Sequence, residues 1–127
     1  MRTLVFFGAT GNLFTRKILP ALSTLSKEED FRVVALGRRF KDAASYQSFI
    51  AEFLPEPSPL FDRLTYLQGD VLNPKDLILR LSPLLGEGPL YFYLATLPSL
   101  YRKALSSIGE LITQRNPEEL FVALEKP

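Results

Sequence analysis

The chain has 127 residues, a net charge of +1, 46% hydrophobic residues and 23% charged residues. That length suits one domain with a substantial core, and the near-zero charge argues against a nucleic-acid partner or an anionic membrane surface. The chain has no cysteine and no histidine. This excludes disulfides, thiolate nucleophiles and cysteine metal sites, and it removes the side chain best suited to proton transfer near neutral pH.

The apolar runs are too short to cross a bilayer, and residues 1–7 show neither a long apolar region nor a cleavage-site pattern. We therefore expect a cytoplasmic protein without membrane association, in which residues 1–127 form a single domain. We predict no metal site. Any acid–base chemistry would fall to an aspartate, glutamate, lysine or tyrosine with a shifted pKa, which argues against an autonomous catalyst, and we predict no catalytic residue.

The first half of the chain predicts two strands that alternate with two helices. Residues 3–7 are a short apolar run typical of a buried strand, and residues 12–26 place apolar side chains on one helical face. Pro20 removes a backbone donor inside that helix, so we expect a kink or a helix in two pieces. A second buried strand is predicted at residues 31–37 and a second helix at residues 42–54.

The second half of the chain continues the alternation. Residues 64–68 predict a third strand, and residues 75–85 predict a leucine-rich helix. Residues 90–95 predict a fourth strand, after which Pro98 opens a helix with one apolar face. The fifth strand is predicted at residues 120–125.

This alternation predicts an α/β fold. Apolar strands separated by helices are typical of a doubly wound, Rossmann-like parallel sheet of about five strands with helices on both faces. Right-handed crossovers give the strand order 3-2-1-4-5. A ligand is then expected outside the carboxyl ends of the strands, where the first and fourth strands diverge.

Two glycines follow the first strand in the stretch GATGNL. The unpaired N–H groups and the dipole of a helix N-terminus favour an anion, and a sharp turn beside a phosphate leaves little room for side chains. Gly8 and Gly11 suit such a turn, and the Thr10 hydroxyl can donate a hydrogen bond. The spacing is G-x-x-G, not G-x-G-x-x-G, and Phe14 stands where a small residue often lets helix and strand pack closely. A tight turn whose glycines serve backbone geometry alone is the alternative.

Arg38 and Arg39 follow the second strand, and the next acid along the chain is Asp42. In dinucleotide-binding folds an acid at this place binds the ribose 2′-hydroxyl of NAD, whereas an arginine suits the 2′-phosphate of NADP. A guanidinium can bind a phosphate with two hydrogen bonds and can stack on adenine. The two arginines therefore favour NADP over NAD. The alternative interpretation is that they are merely solvated side chains at the end of a strand.

Four blocks of sequence span the chain in the order FFGATGNLFTRKILPAL, VVALGRR, YFYLATLPSLY and the terminal EKP. Together they resemble the NADP-binding domain of the glucose-6-phosphate dehydrogenase family, in that family's order and at roughly its spacing. The resemblance implies a Rossmann domain that binds NADP. The family's full enzyme transfers a hydride from glucose 6-phosphate to NADP in the pentose phosphate pathway of glucose metabolism.

The resemblance also implies cofactor-binding positions. Asn12 and Leu13 continue the glycine turn, where the family has aspartate and leucine, and Lys17 falls on a basic position that approaches the cofactor. Arg38 falls on the family's arginine for the 2′-phosphate. The cofactor-binding residues expected from the motifs and the resemblance together are Gly8, Thr10, Gly11, Asn12, Leu13, Lys17, Arg38, Arg39, Ala95, Thr96, Leu97 and Tyr101.

Within the fourth strand's block, the resemblance places the backbone around Ala95 and Thr96 beside the nicotinamide. Leu97 replaces the first of two prolines that the family has there, and Tyr101 matches an aromatic residue a few positions on. Lys126 matches the lysine of the family's EKPFG segment, which lies between cofactor and sugar phosphate. We therefore expect Lys126 to bind substrate.

The family's catalytic histidine, its aspartate partner and most of its sugar-phosphate contacts belong to the segment after EKP and to a second, larger domain. By the resemblance, this chain lacks them. We therefore expect an isolated dinucleotide-binding domain, either a natural short paralogue or a truncated product, that does not turn over glucose 6-phosphate alone. A chain that supplies the missing catalytic domain is one expected partner.

Three alternatives stay open at this point. The chain could be a stand-alone NAD(P)-sensing module, or a scaffold with inert arginines. It could also be an atypical short-chain-dehydrogenase-like binding protein, because GATG and the QGDV at 68–71 occur in that class too. Neither Tyr93 nor Tyr101 completes that class's Tyr-x-x-x-Lys motif. Asp70 could reach the adenine edge of a dinucleotide or could merely end a strand.

The region around the fifth strand, LFVALE, predicts an open sheet edge beside an apolar face. Open strand edges and apolar patches favour pairing with another chain. We therefore expect a homo-oligomer that associates through this region.

Overall fold

The computed structural model describes residues 1–54, 58–115, 117 and 119–124. Within these residues five strands form one sheet in the order β3-β2-β1-β4-β5, and every neighbouring pair is parallel. The strands are β1 (Arg2–Phe7), β2 (Phe31–Gly37), β3 (Leu64–Gln68), β4 (Leu90–Leu94) and β5 (Leu120–Leu124). The sheet confirms the predicted doubly wound fold and strand order.

The parallel register aligns the carboxyl ends of β1, β2, β3 and β4. Phe7 at the end of β1 pairs with Leu36 of β2 and with Leu94 of β4. Leu36 pairs in turn with Leu67 of β3. The loops that leave these four strands therefore meet at one edge of the sheet, where open α/β folds bind ligands.

Five helices connect the strands in the described part of the chain. They are α1 (Leu19–Leu25), α2 (Ala43–Ile50), α3 (Leu60–Arg63), α4 (Pro74–Leu81) and α5 (Tyr101–Arg115). Single 3₁₀ turns extend α2 and α4 and precede α5, at Ala51–Phe53, Ser82–Leu84 and Pro98–Leu100. The short helix α3 was not predicted, because one helical turn gives too little apolar periodicity to detect.

The helix after β1 forms in two pieces, as Pro20 predicts. A π-helical turn spans Phe14–Ile18 and runs directly into α1, which holds Pro20 in its first turn. In a regular α-helix the proline ring would clash with the carbonyl four residues earlier, and that carbonyl would lack its donor. The wider π turn covers that position and is closed by the Leu19 N–H, which donates to the Phe14 carbonyl.

Each face of the sheet carries its own core. The crossovers from β1 through β3 run towards one edge, and the crossovers from β3 through β5 run towards the other, so right-handed connections place their helices on opposite faces. The core on the first face includes Phe6, Phe14, Leu19, Val33, Tyr46 and Ile50. The core on the second face includes Val5, Leu77, Leu81, Phe92, Ala104 and Ile108.

The strand β5 is the least covered of the sheet, because each of its five residues is exposed. The ring of Phe121 stacks on Tyr91 of β4, with centroids 4.8 Å apart and ring planes 10° apart. A groove of about 350 Å³ that includes this stacked pair is lined by apolar side chains, including Leu4, Phe6, Tyr91, Tyr93 and Phe121.

The strand ends differ slightly from the sequence prediction. Strand β1 begins at Arg2, one residue early, and β4 ends at Leu94, so Ala95 belongs to the following loop. The predicted last residue of the fifth strand, 125, lies outside the described residues. Within the described ranges no helix has both the length and the hydropathy that a membrane span requires.

Candidate functional site

A cavity of about 600 Å³ opens at the carboxyl edge of the sheet, beside the ends of β1 and β4. Its volume falls within the range of roughly 300–1,000 Å³ that small-molecule sites occupy. The walls come from the loops after β1, β2, β3 and β4, which is the location predicted from the topology. They include Gly8, Thr10, Gly11, Arg38, Arg39, Asp70, Ala95, Thr96 and Leu97.

Gly8 is required by the chain itself. Its φ is +84°, a conformation that L side chains rarely adopt. A Cβ at this position would lie 2.5 Å from the carbonyl oxygen of Ala95, at the start of the loop after β4. The N–H of Ala95 donates to the carbonyl of Phe7 over 2.9 Å, so the two loops are held together. Gly8 therefore serves local geometry and packing.

Gly11 is a glycine for a different reason. Its φ is not positive, and a Cβ would meet only the Gly8 carbonyl oxygen, at an ordinary 3.5 Å. The Gly11 N–H donates to that same oxygen, and its own carbonyl accepts from the backbone and the hydroxyl of Thr15. Neither conformation nor packing demands glycine here. The space that a side chain would fill is open to the cavity.

The first helical residues after this turn are Asn12 and Leu13. The N–H groups in the first turn of a helix have no preceding turn to donate to. Together with the helix dipole, they favour an anion at this end. Asn12 is exposed and Leu13 is half-buried; neither side chain lines the cavity. Any contribution from these residues to binding would come from their backbone.

Phe14 lies in the core and not in the cavity. Its side chain is fully buried, and its ring centroid is 5.1 Å from that of Phe6. The residue belongs to the apolar face predicted for the helix at 12–26. Its ring therefore does not occupy the space above the glycine turn.

Arg38 and Asp70 lie side by side on the cavity wall. The Arg38 side chain is 62% exposed, and its Nη1 atom lies 4.0 Å from Oδ2 of Asp70. The second carboxylate oxygen, Oδ1, accepts a hydrogen bond of 2.9 Å from the Leu72 N–H. The guanidinium after β2 is thus accessible to a ligand, with a carboxylate from the end of β3 beside it.

Arg39 is held by aromatic rings. Its guanidinium carbon lies 4.9 Å from the ring centroid of Phe40 and 4.9 Å from that of Phe49 on α2. A cation at this distance from a ring gains about 0.5–1 kcal/mol at an exposed site. Two such contacts fix a long side chain that also lines the cavity.

Two buried tyrosines support the cavity from below, and sequence reasoning missed them. The Tyr46 hydroxyl donates to the Ala9 carbonyl over 2.8 Å, inside the glycine turn. The Tyr66 hydroxyl lies 2.6 Å from the Phe40 carbonyl and accepts from the Phe40 N–H at 3.2 Å, so it fixes the loop after β2. The two tyrosine rings stack, with centroids 4.3 Å apart. The only sign of Tyr46 in the sequence is that the stretch that forms α2 carries aromatic residues at helical spacing.

Neither tyrosine is suited to proton transfer at neutral pH. Burial raises the pKa of Tyr46 well above its ordinary range, and the neighbouring Tyr66 adds to the effect. Burial also raises the pKa of Tyr66, against a smaller opposite effect of the hydrogen bond from Phe40. Among the described residues, no group of acidic side chains is arranged to hold a metal ion.

The loop after β4 forms the side of the cavity opposite Arg38. Leu97 has an extended backbone, with φ −64° and ψ 139°, and its carbonyl accepts from the Leu100 N–H. Its side chain is 64% exposed at the rim. The residues of this loop from Ala95 to Pro98 all line the cavity wall.

Two further predicted residues, Lys17 and Tyr101, are not among those that line the cavity. Lys17 is exposed on the π-helical turn, and it is not part of the cavity wall. Tyr101 is half-buried and packs against the core beneath α4 and α5. Lys126 lies outside the described residues. The cavity wall also contains residues that were not predicted to bind a ligand, namely Phe7, Leu36, Gly37, Gly69, Val71, Leu77, Pro98 and Leu100.

Comparison with known proteins identifies one family. The family model described as "Glucose-6-phosphate dehydrogenase, NAD binding domain" matches residues 5–127. The glucose-6-phosphate 1-dehydrogenase of Dickeya dadantii (strain 3937) is 30% identical, over 98% of this chain and 28% of that protein. The enzyme of the same name from Zymomonas mobilis is 28% identical, over 98% of this chain and 29% of that protein. The chain therefore spans less than a third of the length of these curated relatives.

Solved structures with a similar fold are likewise named as glucose-6-phosphate dehydrogenases. The crystal structure of glucose-6-phosphate 1-dehydrogenase from Mycobacterium avium matches with a TM-score of 0.83 and 25% identity, over 99% of this chain and 30% of that one. A glucose-6-phosphate dehydrogenase in complex with glucose 6-phosphate matches with a TM-score of 0.68 and 20% identity, which bears on the fold alone.

Proposed function

The chain belongs to the glucose-6-phosphate dehydrogenase family, where it corresponds to the N-terminal nucleotide-binding domain, and we propose that its cavity binds NADP. The diphosphate lies against the backbone at Gly11 and the first helical N–H groups of Asn12 and Leu13. The observation that carries this proposal is Gly11, a glycine that neither the backbone nor the packing requires and that leaves open space above a helix N-terminus. The family model's name, an NAD-binding domain, supports a dinucleotide in general.

The preference for NADP over NAD comes from the end of β2. Arg38 is exposed there and lines the cavity, and Arg39 is fixed beside it by Phe40 and Phe49. A ribose 2′-phosphate reaching this strand end meets two guanidinium groups, of which the exposed Arg38 can bind it with two hydrogen bonds. A 2′-hydroxyl gains no comparable charge-assisted contact.

The nicotinamide lies at the other end of the cavity, along the backbone of Ala95, Thr96 and Leu97. Open α/β sheets bind ligands across the point where the strand order reverses, which here lies between β1 and β4. Gly8 and Ala95 hold the two loops in contact at that point. The dinucleotide then extends from the end of β2 to the end of β4.

The chain by itself does not catalyse hydride transfer from glucose 6-phosphate in this proposal. That reaction needs a base for the sugar hydroxyl proton, and the sequence offers no histidine. The two buried tyrosines, Tyr46 and Tyr66, have raised pKa values, and their hydroxyls donate to backbone carbonyls of the loops after β1 and β2. A spectrophotometric assay of the pure chain with glucose 6-phosphate and NADP is expected to show no NADPH; sustained production would contradict the proposal.

Calorimetric titration with NADP and NAD tests the cofactor assignment, with Arg38→Ala as the informative variant. A charge-assisted hydrogen bond is worth about 1.5–3 kcal/mol, so the variant should bind NADP about tenfold to a hundredfold more weakly and NAD unchanged. Lys103→Ala, an exposed position on α5 outside the cavity wall, is the matched control for the lost positive charge. Equal affinity of the Arg38 variant for both dinucleotides, unchanged from wild type, would refute the assignment.

We further propose that the exposed face of β4 and β5 mediates association with a second copy of this chain. The support is the stacked pair Tyr91 and Phe121, with Phe121 54% exposed on an edge strand. Sedimentation of the wild type against Phe121→Ser tests this proposal. A concentration-dependent dimer in the wild type only is expected, and a wild-type monomer at high concentration would refute self-association.

A further inference from the structure

Asp70 is the one carboxylate on the cavity wall, within the described residues. It follows β3, the strand beside β2, and so reaches the same corner of the cavity as Arg38. By its sequence position alone, Asp70 could contact the adenine or could merely end a strand.

We propose that Asp70 limits the preference for NADP over NAD by placing a negative charge next to the 2′-phosphate position. This inference rests on the proposed binding of a dinucleotide at this cavity. The Asp70 Oδ2 atom lies 4.0 Å from Nη1 of Arg38, the group assigned to the 2′-phosphate. A phosphate that binds Arg38 is therefore also close to the Asp70 carboxylate.

The Asp70 carboxylate cannot easily move away from an incoming phosphate. Its Oδ1 atom accepts the Leu72 N–H at 2.9 Å, and the Asp70 carbonyl accepts the Asn73 N–H at 2.9 Å. Together these bonds form the turn that leads into α4. Swinging the side chain outwards would break the first of them, so the negative charge stays at the corner of the cavity.

The two dinucleotides respond oppositely to this charge. A phosphate monoester carries a charge of about −1.5 to −2 near neutral pH, so a fixed carboxylate beside Arg38 repels it and competes for the guanidinium. A ribose 2′-hydroxyl is a donor, and a carboxylate is a good acceptor for it. Arg38 thus offers a partner to the 2′-phosphate and Asp70 a partner to the 2′-hydroxyl. The preference for NADP over NAD is therefore smaller than Arg38 alone would give.

The test is calorimetric titration of Asp70→Asn with NADP and with NAD. Asparagine keeps an oxygen for the Leu72 N–H and removes only the charge. We expect the dissociation constant for NADP to fall on the order of tenfold, since two charges a few ångströms apart interact strongly even in a solvated cavity. The constant for NAD should stay the same or rise. Added salt should shrink the effect of the substitution.

Asp76→Asn is the matched control, because it removes one negative charge from the exposed face of α4, where Asp76 pairs with Arg80 away from the cavity. It should leave the ratio of the two affinities unchanged. Asp70→Ser, whose hydroxyl can still accept from the Leu72 N–H, gives a second variant should Asp70→Asn fold poorly.

An unchanged ratio in both Asp70 variants, or weaker NADP binding, would overturn this inference and leave the proposed function standing. Absence of any dinucleotide binding to the wild type and to every variant would overturn the proposed function, and this inference with it.

Discussion

Replacing each of the two turn glycines with alanine separates a structural role from a binding role. At Gly8 the alanine would have to adopt φ +84°, which is unfavourable by about 1–2 kcal/mol. Its Cβ would also meet the Ala95 carbonyl oxygen at 2.5 Å, and relieving such overpacking takes about 1–3 kcal/mol. We therefore expect Gly8→Ala to lower the free energy of unfolding by about 2–5 kcal/mol.

At Gly11 the same substitution should leave the fold intact. Its Cβ would lie 3.5 Å from the Gly8 carbonyl oxygen, an ordinary contact, and its φ is not positive. The free energy of unfolding should stay within about 1 kcal/mol of wild type, since replacing a glycine at a compatible position is often mildly stabilising. The new methyl group, however, stands between the cavity and the backbone that the diphosphate approaches.

Urea unfolding and calorimetric titration of the two variants measure both effects. Losing one charge-assisted hydrogen bond to the diphosphate is worth about 1.5–3 kcal/mol, so Gly11→Ala should weaken NADP binding about tenfold to a hundredfold. Wild-type affinity in a folded Gly11→Ala variant would contradict a binding role for Gly11, because it would mean that the turn uses both glycines for backbone geometry alone. Wild-type stability of Gly8→Ala would refute the account of the turn itself.

Two further predictions concern the aromatic residues beneath the cavity. Tyr46→Phe leaves the Ala9 carbonyl without its buried donor, so the free energy of unfolding should fall by about 1–3 kcal/mol in urea titrations at neutral pH. Burial raises the pKa of Tyr46 in the folded protein, so the stability that this tyrosine contributes is intact below the pKa of an unfolded tyrosine, about 10, and is lost as the pH rises further. Tyr46→Phe should therefore reduce the loss of unfolding free energy at alkaline pH. An unchanged slope of that free energy against pH above about 10 would contradict this. Phe49→Leu removes one of the two rings that hold the Arg39 guanidinium, so calorimetry should show NADP binding weakened by about threefold to fivefold with NAD unaffected, and equal losses for both dinucleotides would contradict the role assigned to Arg39.

The strand pattern could be predicted because parallel strands buried on both faces are continuous apolar runs. The runs at residues 31–37 and 64–68 coincide with β2 and β3, and chirality then leaves little freedom in the strand order. Pro20 likewise predicted a divided helix, since its missing donor acts within one helical turn. The form of the division, a π-helical turn over Phe14–Ile18, was not predicted, because a proline can be accommodated in a helix in more than one way and its position in the sequence does not say which.

The candidate site could be predicted only where local backbone determines it. Gly8, Gly11 and Arg38 follow directly from their positions after β1 and β2. The Tyr46 hydroxyl and the Ala9 carbonyl are separated by 37 residues, so no local pattern announces their hydrogen bond. The proximity of Asp70 to Arg38 likewise depends on the pairing of β2 with β3 and on the turn after β3.

The side chains around Phe14 show how a motif comparison alone can mislead. By position after the glycines, its bulk departs from the small residue that often stands there. By helical periodicity, the same residue belongs to the buried face, and it is fully buried. The periodicity is the better guide here because a large apolar side chain gains most by facing the core, about 1.5–3 kcal/mol for full burial.

The most direct test of the central claim is to follow the backbone amide resonances of the ¹⁵N-labelled chain during titration with NADP and with NAD. We expect the largest shifts at Gly11, Asn12 and Leu13 with either dinucleotide, because the diphosphate is common to both. Shifts at Arg38 and Arg39 should be larger with NADP, which alone carries the 2′-phosphate. Shifts confined to other surfaces, or none at saturating NADP, would contradict the claim that a dinucleotide binds against the glycine turn.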